Sequence, residues 1–124
     1  MNNSRKKIMI VDDSPSMSKV LEMVLLREDY NVVAYDNGSD AVKCAETDSP
    51  NLIIMDINMP GLSGIDAARK IKKNKKTNDI PIIMVSGSAQ YEEVERALEA
   101  GADDYILKPY DIQQLLDIIT EKIK

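Results

Sequence analysis

Three aspartates stand at places where a short buried strand would end. Asp12 and Asp13 follow the apolar residues 8–11, and Asp56 follows the apolar residues 52–55. An ionised carboxylate in an apolar setting is costly unless a cation or hydrogen-bond donors meet it. The chemistry of these acids therefore depends on whether the fold brings them together and on what faces them.

Five short apolar runs alternate with amphipathic helical patterns along the chain. The apolar runs predict strands at Lys7–Asp12, Asn31–Tyr35, Leu52–Asp56, Ile82–Ser86 and Asp104–Leu107. Their near-continuous Ile, Val, Leu and Met residues are typical of strands buried on both faces, as in a parallel sheet. Strict alternation of strand and helix predicts right-handed crossovers and helices on both faces, which is a doubly wound (βα)5 α/β fold. At 124 residues, the whole chain is expected to be one domain, 1–124.

The stretches between the strands carry apolar residues at helical spacing. Ser14 is expected to be the N-cap of the first helix, with Pro15 in its first turn. Gly101 is expected to end the fourth helix with a left-handed cap. The residues predicted on the inward faces of the five helices are Met17, Val20, Leu21, Val24 and Leu25; Ala41, Cys44 and Ala45; Ile65, Ala68 and Ile71; Val94, Ala97 and Leu98; and Ile112, Leu115, Leu116, Ile119 and Ile123.

Composition narrows the possible functions. The formal net charge of −5 argues against a general nucleic-acid or membrane-surface binder, which would need a basic face. The lysines between positions 70 and 76 are interpreted as a solvated helix end. A single cysteine, Cys44, excludes an internal disulfide and suits a reducing cytoplasm. The absence of histidine excludes histidine-based triads and histidine-rich zinc sites.

In a parallel α/β sheet the functional site lies beyond the carboxyl ends of the strands. The polar residues predicted at this rim are Asp12, Asp13, Asp56, Asn58, Ser86 and Lys108. Asp36, which follows the second strand, is expected to lie to the side. Carboxylates at close range repel one another and one lysine cannot balance three, whereas Mg²⁺ binds carboxylate and carbonyl oxygens. A metal with a nearby ammonium and hydroxyl suits a phosphoryl group, and Asp56 could be the nucleophile that forms an acyl phosphate.

Four motifs stand in order at the predicted strand ends. They are VDDSPS (11–16), DINMPGLSG (56–64), MVSGSA (84–89) and AGADDYILKP (100–109). Together they resemble the receiver domains of two-component response regulators, most closely the stand-alone chemotaxis type, and the resemblance covers essentially the whole chain. It implies a flavodoxin-like sheet with strand order 2-1-3-4-5, and a cytoplasmic signalling domain that has no substrate of its own to turn over.

The resemblance implies that Asp56 accepts a phosphoryl group from a phosphohistidine. The donor would be a sensor histidine kinase or a phosphotransfer protein. Mg²⁺ would be bound by Asp13 directly, by Asp12 largely through water, by Asp56 and by the backbone carbonyl of Asn58. The Lys108–Pro109 peptide bond is expected to be cis.

The resemblance also implies a switch. Lys108 would pair with the phosphoryl oxygens, Ser86 would donate its hydroxyl to them, and Tyr105 would turn inward when Ser86 moves. A downstream effector protein would read the face formed by the fourth helix, fifth strand and fifth helix, with Ala89 and Glu92 near its centre. The protein would be a monomer or a weak dimer through that face. Many relatives have threonine at position 86, and the missing methyl group predicts looser coupling to Tyr105.

Other functions remain open at this point. A metal-dependent phosphatase of the haloacid-dehalogenase type would place a second aspartate two residues after its nucleophile on the first strand, whereas Asp12 and Asp13 are adjacent. A flavin carrier would need a phosphate-binding loop of Ser, Thr and Gly after that strand. A degenerate receiver would act only as a docking module. The positions of Met1 and of the fifth helix favour a stand-alone regulator, but a segment of a longer protein is also compatible with the sequence.

Overall fold

The computed structural model describes residues 5–88 and 90–123, so Ala89 lies outside the described residues. Strands and helices alternate as predicted: β1 (Lys7–Val11), α1 (Pro15–Arg27), β2 (Asn31–Tyr35), α2 (Gly38–Asp48), β3 (Leu52–Asp56), α3 (Gly64–Lys73), β4 (Ile82–Ser86), α4 (Tyr91–Glu99), β5 (Asp104–Leu107) and α5 (Ile112–Ile123). The (βα)5 prediction is confirmed, and β2 to β5 have the predicted bounds.

Strand β1 ends one residue earlier than predicted. Its last paired residue is Val11, which lies opposite Tyr35 of β2. The next residue, Asp12, instead begins a turn in which its Oδ1 accepts the backbone N–H of Ser14 at 2.8 Å. Asp12 therefore belongs to the loop at the carboxyl end of the sheet.

The five strands form one parallel sheet in the order β2-β1-β3-β4-β5, as predicted. Val11 of β1 pairs with Met55 of β3, so the residues that follow them, Asp12 and Asp56, lie side by side at the carboxyl end of the sheet. Burial on both faces was predicted for all strands, but it holds only for the inner strands β1, β3 and β4. The edge strands β2 and β5 are partly exposed because each has one neighbour.

Alternate strand residues pack on opposite faces of the sheet. Met9, Ile53 and Met84 contribute to one apolar cluster, which includes residues of α2, α3 and α4. Ile10 and Ile54 contribute to the other, which includes residues of α1 and α5. The helices therefore cover both faces of the sheet, which confirms the doubly wound architecture.

The ends of two helices show how local sequence sets the loops. Ser14 occupies the N-cap position of α1, as predicted, but its side chain makes no capping hydrogen bond. Gly101 follows α4 with φ of +107°, which confirms the predicted left-handed cap. The N–H of Gly101 donates to Leu98 O at 3.0 Å and that of Ala102 donates to Ala97 O at 3.1 Å, the two hydrogen bonds of a Schellman motif.

The predicted exposure is wrong for three residues, two that were predicted to face inward and one lysine that was predicted to be solvated. Val20 and Leu98 are exposed, because the buried stripes of their helices run through Leu21 in α1 and Ala97 in α4. Lys72 has only 19% of its side chain exposed. Its Nζ donates to the carbonyl of Ile80 at 2.7 Å, so this lysine ties α3 to the loop before β4.

Among the described residues, none of the helices combines the length and the apolarity that crossing a membrane requires.

Candidate functional site

The carboxylates of Asp12, Asp13 and Asp56 meet at the carboxyl end of the sheet. Each offers one oxygen, and these three oxygens all lie within 4.8 Å of one another. Asp56 is the most enclosed, with 6% of its side chain exposed, and Asp12 has 11% exposed. Asp13 is open to solvent. The structure therefore brings Asp56 to the adjacent pair Asp12 and Asp13, and we call these three residues the acidic triad.

Lys108 brings a positive charge to two members of the triad. Its Nζ lies 3.2 Å from Asp56 Oδ2 and 3.5 Å from Asp12 Oδ2. The backbone N–H of Lys108 donates to the carbonyl of Ser86 at 2.8 Å, which fixes the start of the β5–α5 loop against the end of β4. The Lys108–Pro109 peptide bond is cis, as predicted. One ammonium against three carboxylates leaves the site with surplus negative charge.

The pKa values of Asp56 and Lys108 are both raised, but for different reasons. Burial raises the pKa of Asp56, Asp12 adds to that increase, and the hydrogen bonds from Lys108 and from the Asn58 N–H offset only part of it. Burial acts in the opposite direction on Lys108, but the hydrogen bond and charge of Asp56 outweigh it, so the pKa of Lys108 is also raised. The lysine is less enclosed than Asp56, with 25% of its side chain exposed against 6%. The ammonium form of Lys108 is therefore favoured, whereas the cost of burying the ionised carboxylate of Asp56 is only partly offset.

The loop after Asp56 is held against the sheet by a close backbone approach. Gly64, the first residue of α3, donates its N–H to the carbonyl of Ile57 at 2.9 Å. A Cβ atom at Gly64 would lie 2.2 Å from the backbone oxygen of Asp56. Asn58 is exposed, and its N–H lies 3.2 Å from Asp56 Oδ1. The missing side chain of glycine therefore allows α3 to begin against the backbone of Asp56.

Ser86 and Tyr105 meet at a residue that the sequence analysis did not single out, Glu93. The fully buried Ser86 donates its hydroxyl to Glu93 Oε1 at 2.7 Å. The Tyr105 hydroxyl lies 2.9 Å from the same Oε1 and 2.9 Å from the carbonyl of Ser88. Burial and the Glu93 carboxylate raise the pKa of Tyr105, and the Ser86 hydroxyl partly opposes them. In this arrangement the Ser86 hydrogen is directed at Glu93.

The position of Glu93 could have been found from helical spacing. It lies four residues before Ala97, which is fully buried, so both lie on the same side of α4. On that side the apolar pattern predicts Val94, Ala97 and Leu98, of which Leu98 is exposed. A half-buried acid on the inward face of a helix needs hydrogen-bond donors, and the nearby hydroxyls supply them.

A cleft of about 440 Å³ opens beside the acidic triad. Asp12, Asp13, Glu22 and Asp36 contribute to its lining. Asp36 does not belong to the triad, as predicted, but it lines the same cleft as two of its members. A ligand could reach the triad from this side.

The donor set of the triad fits a hard divalent cation. It offers carboxylate oxygens only, in a partly enclosed place, with too little positive charge from Lys108. Mg²⁺ prefers such oxygens and retains several waters, for which the exposed side of Asp13 leaves room. Asp12, Asp13 and Asp56 are therefore the residues that could hold the ion.

The chain belongs to the response regulator receiver domain family, whose profile matches residues 8–120. Receiver domains are signalling domains of two-component response regulators, and this one is of the CheY-like kind. The curated protein PilH of Pseudomonas aeruginosa is 38% identical over 113 residues, which cover 91% of this chain and 93% of that protein. The chain spans about half the length (53%) of longer curated relatives that it matches, which are DNA-binding response regulators.

Solved structures agree with this assignment. A CheY-like receiver domain protein from Methanospirillum hungatei shares 33% identity with a TM-score of 0.91, covering 97% of this chain and 94% of that one. The receiver domain of the sensor histidine kinase PA1611 from Pseudomonas aeruginosa shares 32% identity with a TM-score of 0.89, covering 97% of this chain and 98% of that one. The PA1611 structure has a magnesium ion coordinated in its active site cleft.

Proposed function

We propose that this receiver domain is a phosphoacceptor switch, in which Asp56 takes a phosphoryl group from a partner protein. The observation that carries the proposal is the enclosed Asp56 carboxylate, which faces the Lys108 ammonium at 3.2 Å within the acidic triad. An oxygen of the Asp56 carboxylate can attack phosphorus as a nucleophile. The Lys108 ammonium lies beside the position that the transferred phosphoryl group would occupy. The donor would be a phosphohistidine of a sensor histidine kinase or of a phosphotransfer protein.

The chain's own residues would divide the work of the transfer. An oxygen of ionised Asp56 attacks phosphorus, the phosphorus–nitrogen bond to the partner histidine breaks, and its electron pair remains on the imidazole. The Lys108 ammonium pairs with a phosphoryl oxygen. Bound by Asp12, Asp13, Asp56 and the backbone carbonyl of Asn58, Mg²⁺ would supply the positive charge that Lys108 alone does not.

The output would be a protein contact on the face formed by α4, β5 and α5. This face carries exposed apolar side chains, since Tyr91, Leu98 and Leu107 are 76%, 51% and 45% exposed. Tyr105 lies on β5 and would report the state of Asp56 to that face. The partner would be a downstream effector protein in the cytoplasm, not nucleic acid or a membrane, and the receiver itself would be a monomer or a weak dimer through the same face.

Incubation with acetyl phosphate and Mg²⁺ tests the proposal. Intact-mass spectrometry should show one added phosphoryl group that is lost in acid and in base, as an acyl phosphate is. Asp56→Asn should abolish the addition, because an amide oxygen is a poor nucleophile. The matched control Asp79→Asn alters an exposed aspartate on the α3–β4 loop and should be labelled like the wild type. Labelling of Asp56→Asn at the wild-type level would contradict the proposal.

A further inference from the structure

One carboxylate oxygen, Glu93 Oε1, is approached by two hydroxyl groups from different strands. Ser86 at the end of β4 reaches it at 2.7 Å, and Tyr105 on β5 reaches it at 2.9 Å. A further hydrogen bond runs from the Ser88 N–H to Ser86 Oγ at 3.1 Å, so Ser86 acts there as an acceptor. The one hydrogen that Ser86 can donate is therefore committed to Glu93.

A serine hydroxyl has a single hydrogen, so donation to Glu93 and donation to a phosphoryl oxygen on Asp56 exclude each other. On the basis of the proposed function, we propose that Glu93 is an internal competitor for the Ser86 hydroxyl. We call the hydrogen bonds that Glu93 makes with Ser86 and Tyr105 the latch. The latch must break when Asp56 is phosphorylated. The competition links the site to α4 directly, because Glu93 lies in the first turn of that helix.

The surroundings of Glu93 make the hydroxyls its principal partners. Within residues 5–88 and 90–123, no lysine or arginine nitrogen lies within salt-bridge distance of its carboxylate. Loss of the Ser86 hydrogen would leave the charge with the positive end of α4 and with the Tyr105 hydroxyl, whose single hydrogen the Ser88 carbonyl also accepts. The carboxylate would then be drawn toward solvent, and Tyr105 would lose the partner that it shares with Ser86. Release of the latch thus changes the same face on which the output is proposed.

Affinity for beryllofluoride, a non-covalent mimic of the phosphoryl group, tests the latch. Titration in the presence of Mg²⁺ would compare the wild type with Glu93→Gln, which keeps the shape of the side chain and removes its charge. Since a charge-assisted hydrogen bond is roughly twice as strong as a neutral one, the variant should bind the mimic about fivefold more tightly. Glu28→Gln removes an equal charge from an exposed residue at the end of α1, outside the proposed output face, and should leave the affinity near that of the wild type.

A double-mutant cycle separates the hydrogen bond from the loss of charge. In a Ser86→Ala background no hydroxyl is left to compete for, so the gain from Glu93→Gln should disappear. An equal gain in both backgrounds would show a purely electrostatic effect and overturn the latch. So would unchanged or weakened binding by Glu93→Gln alone. Failure of the wild type itself to bind beryllofluoride with Mg²⁺ would instead contradict the proposed function.

Discussion

The side-chain nitrogen of Lys108 lies 3.2 Å from Asp56 Oδ2, although the two residues are 52 positions apart in sequence. The parallel sheet creates this pair, because β3 and β5 end at the same edge. Because Lys108 supplies a single positive charge, the negative charges of Asp12 and Asp13 are only partly balanced. This surplus of negative charge should affect the free energy of unfolding.

Mg²⁺ should raise the stability of the folded protein, because it relieves repulsion within the acidic triad. A ligand that binds only the folded state stabilises it by about 2.7 kcal/mol when present at a hundredfold excess over its Kd. Asp13→Asn should remove most of this gain, whereas Asp79→Asn should retain it. Melting curves of the wild type with and without millimolar Mg²⁺ provide the measurement, and coincident curves would rule out the metal site.

The pKa of Asp56 predicts a pH-dependent effect of Asp56→Asn in the presence of a chelator. A carboxyl group whose pKa is higher in the folded than in the unfolded state favours folding most when protonated, and that contribution is lost as the pH rises through the folded pKa. At neutral pH ionised Asp56 therefore opposes folding, and Asp56→Asn should be the more stable protein.

The advantage of Asp56→Asn should shrink as the pH falls toward the ordinary aspartate value of about 3.9. The Lys108 ammonium keeps Asp12 as a partner in the variant, so the comparison reports mainly on Asp56. Urea unfolding at a series of pH values would measure the difference. A difference that grows toward low pH would show that the direction assigned to the Asp56 pKa is wrong.

Gly64→Ala should destabilise the protein and displace the loop after Asp56. The new Cβ would lie 2.2 Å from the backbone oxygen of Asp56, and backbone cannot yield as a flexible side chain can. Overpacking costs about 1–3 kcal/mol in cores, and this contact should reach at least that range. Gly87→Ala is the matched control, because its Cβ would meet no atom within 4 Å. Equal urea midpoints for the two variants would refute the steric argument.

Amide chemical-shift mapping with beryllofluoride should locate the output face. Besides the residues around the acidic triad, the largest changes should fall in α4, β5 and α5, with Tyr105 among them. Coupling energies between sites are typically 1–3 kcal/mol, enough to shift a pre-existing equilibrium by a measurable amount. Changes restricted to the loops of the triad, or spreading mainly through α1 and α2, would exclude this face.

The strands could be predicted from sequence because apolar runs of about five residues, bounded by polar ones, leave little choice of structure. The register then followed from parallel pairing, so the rim residues Asp12, Asp56 and Lys108 could be expected to meet. The end of β1 was predicted one residue late because the Asp12 side chain forms a turn with the Ser14 N–H, and apolarity does not reveal such a turn.

Helix faces were predicted less well than strands. Periodicity shows that α4 has an inward side, but its buried stripe is narrow, so Leu98 beside it is exposed. Glu93 and Lys72 were missed for a related reason. Glu93 pairs with hydroxyl groups, and Lys72 pairs with a backbone carbonyl and with the Asp103 carboxylate. The fold brings these partners close, and sequence spacing alone does not show them.

The position of the phosphoryl group is the most direct test of the account. After labelling with acetyl phosphate and Mg²⁺, reduction with borohydride converts an acyl phosphate into a stable product, and peptide mass spectrometry then identifies the modified residue. The account predicts that the reduced residue is Asp56 and that Asp12 and Asp13 remain unmodified. An acid-stable phosphoryl group on Ser86, or a reduced residue other than Asp56, would contradict it.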